Sequence, residues 1–135
     1  MLKLLFTLFT SGLILSACGP ADMLTELSSN SWNVSSLNGK SLESENTIKG
    51  LPFLTFSDNG KLFGSTGCNN FTGSYKLTGT KLDLNLGALT KMMCPGDTEQ
   101  NFINAIKKVT NIKMDGGTLN LLNGTNTVMS LVPQN

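Results

Sequence analysis

The sequence predicts an α+β fold that is mainly β, an antiparallel partial β-barrel of about eight strands with one amphipathic helix. Three observations carry this. Short apolar stretches alternate with turn residues at intervals of about ten residues, the rhythm of successive hairpins. Inside the stretches apolar and polar side chains alternate, the period-two pattern of a strand buried on one face. The rhythm breaks once, where apolar residues recur at helical spacing.

The first predicted strand is SWNVSSL, 31–37, closed by Asn38-Gly39. LPFLTF, 51–56, runs into Ser57-Asp58-Asn59-Gly60 and then KLFGS, a hairpin whose Asn-Gly pair tolerates the positive φ of a tight turn. FTGSYKL and KLDLNLG flank Thr78-Gly79-Thr80, a second hairpin. In the latter strand Leu82, Leu84 and Leu86 alternate with Asp83 and Asn85. After Cys94-Pro95-Gly96, DTEQNFINAIKKV places Phe102, Ile103, Ile106 and Val109 on one helical face. Asp97 is the expected N-cap, Gln100 stands at the capping-box position, and Lys107 and Lys108 suit the C-terminal end. NIKM, TLNLL and TNTVMSLV then resume the strand rhythm, separated by Asp115-Gly116-Gly117 and Asn123-Gly124, and Pro133 ends it.

Residues 1–17 read as a lipoprotein signal peptide. Lys3 is a short basic region, and the apolar run 4–15 fits a signal core but falls short of the roughly 20 residues a spanning helix needs. Leu15-Ser16-Ala17-Cys18 resembles the bacterial lipobox, which makes the Cys18 sulfur the expected carrier of diacylglycerol, with palmitate as a further acyl chain. The residue after it is Gly19 rather than the aspartate associated with inner-membrane retention. The expected location is therefore the outer membrane, with the domain facing the periplasm. Residues 18–30, polar and weakly periodic, are expected to be a lipid-anchored tether, and 31–133 the folded domain.

Composition narrows the chemistry. The ten basic residues are all lysine and histidine is absent. Without Lys3 the mature chain has nine lysines against nine acidic residues, so no electrostatic footprint for nucleic acid exists. Bidentate arginine clamps, histidine relays and histidine metal ligands are all excluded. Two remaining cysteines make a poor zinc set. Glu43 and Glu45 have the spacing of a shared strand face, but in KSLESENTIKG they read as a solvated loop. No catalytic residue, metal or cofactor is expected, and the chain is not expected to be an enzyme.

The run GSTGCNNFTGSY, 64–75, supports three readings. As a phosphate cradle it lacks the spacing and the lysine of a P-loop and lies between strands. As a nucleophile site it lacks any group beside Cys68 that lowers a thiol pKa. As a structural turn it has a partner, because setting aside Cys18 leaves only Cys68 and Cys94 in an oxidising compartment. The disulfide is the favoured reading. The sequons at Asn33, Asn70 and Asn123 are discounted in an asparagine-rich chain of bacterial type.

These residues resemble the META domain of the heat-shock protein HslJ family. The resemblance lies in Trp32, then Gly67, Cys68, Asn69 and Tyr75, then Thr90, Met92 and Cys94, then Glu99 and Phe102, and the closing strands around Ile112 and Leu119. It covers about 30–131, and departs from the pattern at Met93, where relatives often carry alanine before the cysteine. It implies a β fold with one helix on envelope-associated or secreted proteins linked to heat shock, antibiotic resistance and, in some parasites, virulence. It implies no settled activity.

The leading expectation is a non-catalytic lipoprotein that supports stress tolerance or envelope integrity through protein or small-ligand interactions. Its membrane contact is the diacylglyceryl group on Cys18, and its other partner an envelope protein or lipid. One alternative is an apolar groove for lipid or peptide, made adaptable by Met92, Met93, Met114 and Met129, or a secretion-escort role by analogy. Another is a lysozyme-type inhibitor using the Glu43–Glu45 loop.

Overall fold

A computed structural model of the chain describes residues 20–44 and 47–135. Cys18, the signal segment before it and Glu45 lie outside the described residues, so the lipidation site and half of the acidic pair have no structural account.

Each predicted strand is present. β1 (Ser31–Leu37), β3 (Phe53–Phe56), β4 (Lys61–Ser65), β5 (Asn70–Thr78) and β6 (Lys81–Leu89) precede the predicted helix, α2 (Thr98–Lys108). β7 (Asn111–Asp115), β8 (Thr118–Asn123) and β9 (Asn126–Pro133) follow it. Two elements were not expected. The two-residue strand β2 (Lys40–Ser41) pairs with the end of β1 across the Asn38-Gly39 turn. It is too short to carry any periodicity. The second is a helix, α1 (Pro20–Ser28).

α1 corrects the expectation of a tether over 18–30. Leu27 is fully buried, and Met23 and Leu24 pack against the core. The Trp32 indole N–H donates to the Leu27 carbonyl at 2.9 Å, tying the helix end to β1. Too few apolar residues stand in this short stretch to declare a helical face. The sheet supplies the surface that makes Leu27 worth burying, at about 2 kcal/mol for a leucine side chain.

The strands form one antiparallel sheet in the order β2-β1-β3-β4-β5-β6-β7-β8-β9, and β9 returns to pair with β1. The result is ring-like, a partial barrel. Its narrow seam is between β6 and β7, joined at the single register pair Lys81–Asn111 and flanking bonds from Leu82 N to Thr110 O and Ile112 N to Thr80 O. The core lies inside the ring, with Trp32, Leu54, Phe56, Leu62, Leu121 and Leu131 among its buried side chains. α2 packs on β1, β6 and β9 and adds Phe102, Ala105 and Ile106 to the same core. Asp97 holds the N-cap position but makes no side-chain capping bond, and Gln100 donates to Asn104 instead of closing a capping box. That start of the helix is set by tertiary contacts.

β5 and β6 approach so closely that a Cβ on Gly73 would lie 1.9 Å from the Asn85 carbonyl oxygen. Opposite, Gly87 adopts φ +63° beside the register shift between Phe71 and Thr72, a bulge that bends the long hairpin around the ring.

β1 and β4 both run antiparallel to β3, and therefore in the same direction. α1 precedes the start of β1, whereas the turn 66–69 follows the end of β4. The helix α1 and the glycine-rich turn thus sit at opposite ends of the ring.

Candidate functional site

The run GSTGCNNFTGSY forms the end of β4, a tight hairpin with Gly67 and Cys68 at its tip, and the start of β5. Gly67 adopts φ +88°, the left-handed conformation that a two-residue hairpin asks of glycine. Thr66 closes the turn twice. Its backbone N–H donates to the Asn69 carbonyl at 2.8 Å, and its hydroxyl oxygen accepts the Asn69 N–H at 2.9 Å.

Asn69, 3% exposed, is the hub of this end of the ring. Its Nδ2 donates to both carboxylate oxygens of Glu99, at 3.0 and 2.9 Å, and to the Met92 carbonyl at 2.9 Å. Its Oδ1 accepts the Met92 N–H at 2.6 Å and the Thr90 hydroxyl at 2.9 Å. The Thr66 hydroxyl in turn donates to Glu99 Oε2. Thr90 Oγ1 receives the Asn70 N–H at 3.0 Å. One amide thus bonds a hairpin, the irregular segment after β6 and the first turn of α2. Glu99 is also well placed there for the positive end of the helix.

The Cys68–Cys94 disulfide spans the same junction, with Cα atoms 6.0 Å apart. The favoured structural reading of the run is the one observed. The thiol-nucleophile reading is overturned, because both sulfurs are bonded to each other. Beneath, Phe71 and Phe102 stack with centroids 5.9 Å apart. The motif residues Gly67, Cys68, Asn69, Thr90, Met92, Cys94, Glu99 and Phe102 therefore converge at one end of the ring.

Two motif residues lie elsewhere. Trp32 sits at the α1 end, under Leu27. Tyr75 packs edge-on against Phe56 at 5.1 Å and donates its hydroxyl to the Ser57 carbonyl. Burial, and secondarily the Asp58 carboxylate, raise its pKa above the usual 10.0. Thr66 was missed in the sequence. The available signal was a threonine three residues before an asparagine across a glycine turn, a pattern in which the hydroxyl caps a backbone N–H.

Among the surface concavities of the described residues, two flank α2 and bear on function. A cleft of about 120 Å³ beside the disulfide is lined by Thr47, Ile48, Pro95, Thr98 and Glu99. A trough of about 360 Å³ between α2 and β6 is lined by Leu84, Leu86, Leu89, Ile103, Ile106 and Lys107. The four methionines expected to make an apolar groove adaptable do not share one surface. Met129 is fully buried and Met114 packs against the core, while Met92 is 41% and Met93 95% exposed at the staple end. Among the described residues no group of three or more His, Cys, Asp or Glu side chains is arranged to hold a metal ion. Glu43 is exposed.

A family model described as META domain matches residues 25–135. The chain belongs to the META domain family. The family match begins inside α1, so it takes in part of the helix that the sequence pattern placed outside the domain. Among solved structures, this META domain is similar to a protein determined by NMR at 24% identity, over 82% of this chain and 93% of that one, with a TM-score of 0.66. It is also similar to a protein from Burkholderia xenovorans, determined by NMR, at 21% identity over 96% and 99% of the two chains, TM-score 0.60. A DUF4847 family protein from Bacteroides vulgatus matches at 18% identity over 81% and 96%, TM-score 0.59. These likenesses concern the fold. No curated protein matches.

Proposed function

We propose that this META domain protein is a non-catalytic lipoprotein of the outer membrane, anchored through Cys18, that supports stress tolerance or envelope integrity by binding an envelope partner. One observation carries the reading. The polar groups of the family motif bond to one another, and the segment they hold presents Met92 and Met93 outward, at the same end of the ring as Ile48, which is 59% exposed and lines the cleft beside the disulfide. A loop fixed by an amide hub and a disulfide has little entropy to lose on binding, and exposed methionines make adaptable apolar contacts. The leader supports the location and the absence of histidine supports a non-catalytic role.

The test is a deletion strain complemented with the wild-type chain or with Met92→Ser/Met93→Ser. Outer-membrane permeability and drug sensitivity are measured under heat and oxidative stress. Deletion is expected to raise both, and the double variant to restore neither while remaining folded and abundant. A deletion strain indistinguishable from its parent would overturn the reading.

The trough between α2 and β6 favours a second reading, an apolar site for an acyl chain or apolar peptide with Lys107 at its rim. Native mass spectrometry of the gently extracted protein tests it, and an Ile103→Lys variant should lose any co-purifying ligand. No bound species, and no mass shift with added fatty acid, would remove it.

A further inference from the structure

We infer that the domain stands directly on the bilayer that holds Cys18, its α1 end against the lipid headgroups and its disulfide end turned away. This rests on the reading of Cys18 as the lipid-bearing residue and adds the orientation that α1 imposes.

A flexible segment covering 18–30 would let the domain wander about 20 Å from its anchor and tumble freely. α1 removes that freedom. Pro20 is only two residues beyond Cys18, and an extended chain spans at most about 3.6 Å per residue, so the helix begins within about 7 Å of the anchored Cα. The helix is in turn fixed to the sheet, through the buried Leu27, the packed Met23 and Leu24, and the bond from the Trp32 indole to the Leu27 carbonyl. No spacer is left between anchor and domain.

The two ends differ in the way this orientation requires. Around α1 lie the hairpin 57–60, whose Asp58 and Asn59 are exposed, the exposed Lys61, and Gln134, whose N–H bonds to the Ser31 carbonyl. This is a polar surface suited to headgroups rather than to insertion. Of the five large apolar side chains exposed among the described residues, Ile48, Met92 and Met93 gather at the other end. Val132, on the end of β9 near α1, is 38% exposed, and Phe63 lies within β4. The apolar patch thus faces away from the membrane, where a periplasmic partner can reach it.

The experiment uses the mature protein extracted from the membranes of its producing cells and reconstituted into phosphatidylethanolamine–phosphatidylglycerol vesicles. A fluorophore is placed on Asp58→Cys or on Met93→Cys, labelled without reductant so that the native disulfide survives. Nitroxide-headgroup lipid is then added as quencher. Quenching at position 58 is expected to exceed that at 93 several-fold, and a ten-residue glycine–serine spacer inserted between Gly19 and Pro20 should abolish the difference. Equal quenching without the spacer, or stronger quenching at 93, would overturn the orientation alone. Failure of the extracted chain to float with the vesicles would overturn the anchor itself, and this inference with it.

Discussion

The two ends of the ring are held by different physics. At the α1 end, a leucine fills the core and one indole N–H caps the helix carbonyl above it. At the disulfide end, a tight hairpin, an irregular segment and a helix start are joined by a covalent bond and an asparagine with five partner atoms on Thr90, Met92 and Glu99. Apolar burial is non-directional, so it secures an element without dictating the path of a loop. Hydrogen bonds to fixed backbone atoms dictate that path, and leave each partner costly to orphan. The α1 end is therefore expected to be robust in shape, and the motif end specific in shape.

The largest effect that would test this contrast is loss of the staple. Cys94→Ser is expected to destabilise the domain by about 3–4 kcal/mol in urea unfolding, the chain-entropy value for a loop of this span. The Cys68→Ser/Cys94→Ser pair should cost no more than either single change. Additive losses would show that the cysteines act separately. Next comes Leu27→Ala, expected to cost about 3 kcal/mol and to lose amide protection in α1, with the 90–97 segment keeping its own. Exchange spreading to that segment would mean that the ends are coupled.

Asn69→Ala is expected to cost about 2–3 kcal/mol, because the Met92 N–H and the Glu99 carboxylate lose partners in a confined site. In a double-mutant cycle with Glu99→Gln the two changes should be non-additive, by about 1 kcal/mol. The same cycle between Asn69→Ala and Trp32→Phe, at opposite ends, should give a value near zero.

The smallest effect concerns Tyr75, which belongs to neither end's specific network. Its folded pKa lies above 10.0, so the folded state holds the phenolic proton more tightly than the unfolded chain does. Stability from this group is present below pH 10 and falls as pH rises beyond it. Tyr75→Phe should cost about 1 kcal/mol at neutral pH through the lost bond to Ser57, and should flatten the alkaline decline seen by thermal melts.

The strands and α2 were legible because their signals are local. Leu82 and Leu86 are buried and Leu84 half-buried, as the period-two pattern requires, and Phe102 and Ile106 face inward at helical spacing. The pairing of Cys68 with Cys94 was legible by counting. α1 was not, since Leu27 gains its burial from a sheet assembled later in the chain. Nor were the expected caps, since a local pattern cannot say whether Gln100 will find a better partner in Asn104.

The alternating apolar residues, the turns and the cysteine count by themselves determined a mainly β domain with one staple and one helix, because each depends on neighbours a few residues away. Tertiary structure alone decided that α1 is part of the body, that the methionines divide between core and surface, and that Asn69 meets Glu99 thirty residues on. Such contacts form only when the closed sheet brings distant segments together. Their energy lies in satisfying buried polar groups and filling a shared core, which no local stretch encodes.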